Sequence, residues 1–69
     1  SSYDKEQLSY VQSVLARLPD NLSRLLSLYF FEDKSYEEIA EIEKLSLSAV
    51  RSGIHRAKKQ FRIVALQMA

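Results

Sequence analysis

Apolar residues recur along the chain at three- and four-residue steps, the period of a helix with one buried side. Leu8, Val11, Val14, Leu15 and Leu18 predict a first helix over 4–18. Asp4 and Glu6 stand near its start, where the helix dipole favours anions. Pro19 pushes Leu18 out of helical backbone and suits a first turn, so a second helix is expected from Pro19 to Phe31. Its bulk, Leu22, Leu25, Leu26, Leu28, Tyr29 and Phe30, surrounds most of the rod, which predicts a central element buried by several neighbours. Glu32-Asp33-Lys34 reads as a polar turn. Ser35 followed by Glu38 has the spacing of a capping box and opens a short third helix over 36–43, with Ile39, Ala40 and Ile42 expected inward. After a tight connection, Ser46 reads as the N-cap of a long fourth helix over 47–67. Its seam, Leu47, Val50, Ile54, Ala57, Phe61, Val64 and Met68, alternates steps of three and four, a pattern of core packing. Tyr29 and Tyr36 are expected to pack in the core or at its rim, Tyr3 and Tyr10 at the edge of the first helix.

With one Gly and one Pro, the chain lacks the turn residues an all-β fold needs. The 69 residues are therefore expected to form one all-α, four-helix domain spanning 1–69. The absence of cysteine excludes disulfides and Cys-ligated metals, and fits a cytoplasmic protein. His55, the lone histidine, cannot by itself build a metal site or, with a serine, a nucleophilic triad. The cluster Glu37, Glu38, Glu41 and Glu43 reads as a solvated face rather than a metal set. No enzymatic activity, cofactor or metal is expected. No apolar run reaches membrane-spanning length and no signal peptide is recognisable.

Charge changes the picture. Residues 1–43 carry nine acids and four bases, a net −5; residues 44–69 carry six bases and no acid, a net +6. The basic third coincides with the long helix, whose polar side holds Ser48, Arg51, Ser52, His55, Arg56, Lys58, Lys59 and Arg62. A short capped helix, a three-residue turn and a longer basic helix make a helix-turn-helix, whose second helix enters the DNA major groove, about 12 Å wide. Arg51, Ser52, His55 and Arg56 lie on its early turns and are the expected base contacts, His55 being otherwise a plain exposed residue. Lys58, Lys59 and Arg62 lie further along and are expected at phosphates.

The stretches LPDNLSRLLSLYFFEDKSYEEIAEI and SLSAVRSGIHRAKKQF together resemble region 4 of bacterial sigma factors, particularly the extracytoplasmic-function group. The resemblance implies a winged-helix-like domain without a wing, in the cytoplasm, as one fragment of a larger factor. It implies sequence-specific binding of double-stranded promoter DNA at the −35 element, directing RNA polymerase to initiate transcription. It also implies attachment to the polymerase core through the β-subunit flap, held by apolar surface of the first helices and the distal fourth helix. An anti-sigma factor would cover the same surfaces. Arg24 and the Ser35 cap are implied as phosphate contacts. Two alternatives stand beside it. One is a response-regulator-type helix-turn-helix output domain, which the LP start and IHRAKKQF disfavour. The other is a helical module binding an acidic protein such as an anti-sigma factor.

Two departures from the family pattern matter. Gly53 stands where many relatives have Arg, which removes a cation expected at DNA. Lys44 stands where a turn glycine is usual, so either Lys44 is strained in left-handed backbone or the turn has another shape.

Overall fold

A computed structural model describes residues 4–69. Tyr3 lies outside the described residues. The order is α1 (Lys5–Leu15), α2 (Asp20–Phe30), α3 (Tyr36–Glu43) and α4 (Leu47–Met68), with no strand among the described residues. Region and connection lengths follow the hydrophobic pattern closely, and the exceptions have local causes.

The first helix stops three residues before the predicted end. The Arg17 and Leu18 amides donate to Val14 and Leu15 carbonyls at 3.0 and 3.1 Å, a tightened last turn that delivers the chain to Pro19. Leu18 is nonetheless buried. At the other end Asp4 forms a capping box with Gln7. Its carboxylate accepts from the Gln7 amide at 2.7 Å, and the Gln7 side chain accepts from the Asp4 amide at 3.2 Å. The Asp-x-x-Gln spacing carried that signal.

Two apolar clusters form the core. Leu15, Leu18, Leu22 and Leu26 gather around Ala57, with Phe61 and Val64 at the side. Leu25, Leu28, Ile39, Val50 and Ile54 form the second, flanked by Tyr29, Tyr36 and Ala40. The α2 rod contributes to both, because it lies across α4 and touches α3. Full burial of a side chain such as Val50 or Ile54 stabilises by roughly 1.5–3 kcal/mol. Ile42 departs from expectation: it is 42% exposed, because the apolar residues of α2 and α4 pack over Ile39 and Ala40 and do not extend to it. Tyr10 also lies at the surface, its hydroxyl donating to the Ala65 carbonyl at 3.3 Å and tying α1 to the distal part of α4.

Both polar connections use left-handed backbone. Asp33 has φ 53°, a conformation aspartate tolerates, and lets the Lys34 amide reach back to the Leu28 carbonyl. Lys44 has φ 58° and ψ 44°, so the turn keeps the glycine-type shape and Lys44 bears the strain. In return its amide and that of Leu45 both bond the Ala40 carbonyl and end α3 cleanly. No helix among the described residues is long and apolar enough to cross a membrane.

Candidate nucleic-acid interface

The turn at 44–46 sets α4 against α3, and Ser46 starts it: the Ser46 hydroxyl accepts from the Ala49 amide at 3.0 Å. Val50, Gly53, Ile54 and Ala57 are then fixed inward. Helical periodicity leaves Arg51, Ser52, His55, Arg56, Lys59 and Arg62 exposed. From Arg51 to Arg62 the row runs about 16 Å along the axis. No acid lies on α4, so every formal charge on this ridge is positive. Its width, that of a single helix, suits the major groove.

The remaining expected contacts sit in more occupied surroundings. The Nζ of Lys58 lies 5.3 Å from the Tyr29 ring centre and 5.7 Å from that of Phe30, so its ammonium stands over aromatic faces at one flank of α4. Arg56 lies on the other flank. The Nε–H of Arg24 donates to both carboxylate oxygens of Glu43, each at 2.7 Å, bridging α2 to the end of α3. That hydrogen bond and the Glu43 charge raise the Arg24 pKa further above its ordinary value. The Ser35 hydroxyl accepts from the Glu38 amide at 3.1 Å, while the Ser35 amide donates to the Glu38 carboxylate at 2.8 Å. The bond from the Ser35 amide, helped by the Ser35 side chain, holds the Glu38 carboxyl below its usual range. Ser35 is thus engaged in the predicted box, and an anion arriving there meets a carboxylate already in place. Two members of the glutamate cluster accordingly have structural duties, Glu38 as a cap and Glu43 as an ion-pair partner.

Gly53 corrects the sequence-based expectation. It is buried, and a Cβ built on it would come 2.6 Å from Leu25 Cδ1. The position faces α2 and not the exposed ridge, so its lack of a cation takes nothing from that ridge. Glycine here lets α2 and α4 approach closely.

A second feature escaped sequence reading. Val11, Leu15, Leu26, Phe30, Phe31, Lys58 and Phe61 line an open apolar cavity of about 220 Å³ between α1, α2 and the distal half of α4. Only the three-dimensional meeting of three helices makes it, although the surface it occupies is the one the resemblance implied for a protein partner.

The family model described as Sigma-70, region 4 matches residues 8–61. The RNA polymerase sigma factor YlaC of Bacillus subtilis (strain 168) is 44% identical over 48 residues, which cover 70% of this chain and 28% of that protein. The chain thus matches little more than a quarter of that relative's length. No solved structure matches. These matches favour the sigma-factor resemblance over the response-regulator alternative.

Proposed function

The chain belongs to the sigma-70 region 4 family, DNA-binding domains of transcription factors and not enzymes, and from that premise we propose that it recognises the promoter −35 element for RNA polymerase. The observation that carries this reading is the acid-free cationic ridge of α4, presented by the second helix of the helix-turn-helix. Arg51, Ser52, His55 and Arg56 read base edges from the early turns. Lys59 and Arg62 hold phosphates beyond them and give salt-dependent, sequence-blind attraction. Lys58 joins them only by leaving the Tyr29 and Phe30 rings. Ser35 joins them only where a phosphate can approach its hydroxyl past the Glu38 carboxylate held at the cap. Arg24 is held by Glu43 in the ion pair between α2 and α3.

The apolar cavity is the proposed seat of the polymerase β-subunit flap, and an anti-sigma protein would compete for it. Its apolar lining and single cation suit an amphipathic segment.

The test is fluorescence anisotropy with duplexes carrying single-base variants of a selected −35 sequence. Arg56→Ala is expected to weaken binding by about 1–3 kcal/mol and to relax preference at one position. Lys59→Ala is expected to weaken all duplexes evenly and reduce the salt slope by about one. Binding by the native chain to no duplex at low salt, together with capture of an acidic protein partner, would replace this reading with the protein-module alternative.

A further inference from the structure

The two contacts implied for phosphates outside α4, Arg24 and Ser35, are each engaged by a carboxylate of α3. At the helix start Glu38 accepts the Ser35 amide, and at its end Glu43 accepts Arg24. The second pair is the more telling. A glutamate on the last turn of a helix stands at the negative end of the dipole, an unfavourable place for an anion. Glu43 is also set into the surface, with its side chain 16% exposed against 61% for Arg24. The acid is thus the sheltered half of the pair and the arginine the exposed half. Exposed ion pairs are usually weak because both side chains must be ordered; here the carboxylate is largely sheltered from solvent and both its oxygens accept from the guanidinium. Asn21, Leu25, Gly53 and Arg56, the last expected to read bases, line a cleft that Glu43 also borders.

We propose that Glu43 is a specificity-determining residue: it withholds Arg24 from nucleic acid and so restricts sequence-blind attraction to the ridge of α4. This rests on the DNA-binding reading above. A phosphate oxygen and the Glu43 carboxylate seek the same guanidinium. While Glu43 holds Arg24, one cation fewer is available to release counterions from the duplex, and affinity for random sequence falls accordingly.

The experiment measures binding of the 69-residue chain to a random duplex across a salt series. Four proteins are compared: native, Glu43→Gln, Arg24→Ala and the double variant. Gln keeps the shape of Glu43 and an acceptor oxygen, so packing is preserved; Glu43→Ser gives the same readout should the Gln variant fail to fold by circular dichroism. Glu43→Gln is expected to bind random duplex about three- to tenfold more tightly at low salt, with a log–log salt slope steeper by about 0.9. Arg24→Ala alone is expected to leave the slope unchanged, and in the Glu43→Gln background to abolish the gain. Glu41→Gln makes the same change in net charge elsewhere on α3 and is expected to leave the slope near native, since exposed charges are screened over about 8 Å at physiological salt. A native-like slope in Glu43→Gln, a flattened slope in Arg24→Ala alone, or an equal gain in Glu41→Gln overturns the inference while leaving the DNA-binding reading intact. A native chain that binds no duplex at low salt removes both.

Discussion

Substitution of Gly53 by alanine measures how closely α2 and α4 meet. In an open helix this change stabilises by about 1 kcal/mol, because glycine loses more backbone freedom. At this crossing the new methyl would lie 2.6 Å from Leu25 Cδ1, and Leu25 is 4% exposed within its cluster. Something must move. Forcing an extra methyl into a packed core costs about 1–3 kcal/mol. The cleft of about 280 Å³ that borders both residues gives the leucine tip somewhere to turn, which favours the low end of that range. The expected net effect is destabilisation by about 0–2 kcal/mol. Leu25→Val shortens that side chain by one carbon, so no atom is left at the Cδ1 position. In its background Gly53→Ala should recover the helix term and stabilise by about 1 kcal/mol. The sign thus reverses between backgrounds, a coupling of about 1–3 kcal/mol, as expected of residues in contact. Urea unfolding followed by helical circular dichroism reads it, since with a slope near 1 kcal/mol per molar each kilocalorie moves the midpoint by about 1 M. A domain of this size holds only about 3–5 kcal/mol, so the shifts are large against the whole. A rise of about 1 M for Gly53→Ala in both backgrounds would refute the close crossing.

Three further outcomes are expected. Lys44→Gly should raise the melting temperature by several degrees, because left-handed backbone costs a non-glycine residue about 1–2 kcal/mol and the unfolded-state entropy of glycine returns only part of it; a lowered melting temperature would show that the Lys44 side chain does more for the turn than its backbone costs. Ser35→Ala should destabilise by about 1 kcal/mol at neutral pH through loss of the α3 cap, read by thermal unfolding. The Glu38 carboxyl, held low chiefly by the Ser35 amide, contributes stability that is complete above its ordinary pKa and fades as pH falls through the lowered folded value; Glu38→Gln should flatten the acid limb of stability against pH, and an unchanged limb would assign acid sensitivity elsewhere.

Much of the molecule was legible in advance because its information is local. The steps of three and four placed all four helices, Ser35 and Ser46 announced their caps, and the exposed arginines of α4 followed from the same periodicity that buried Val50, Ile54 and Ala57. Other readings failed where side-chain type does not specify a neighbour. Ile42 is as apolar as Ile39 and lies one step of three beyond it, yet only Ile39 is covered by residues of α2 and α4. The proposed phosphate role of Lys58 is a separate matter, but the aromatic rings of α2 beside its ammonium were likewise not readable from its charge.

The sequence by itself determined the helical order, the acidic and basic division of the chain and the cationic ridge, because helix period and charge position are properties of consecutive residues. It took the packed fold to settle that Glu43 meets Arg24, nineteen positions away, that Gly53 faces Leu25, and that α1, α2 and α4 border an open apolar cavity. These depend on how the rods cross, and crossing is set by the joint packing of side chains from all of them, which no single stretch of sequence encodes.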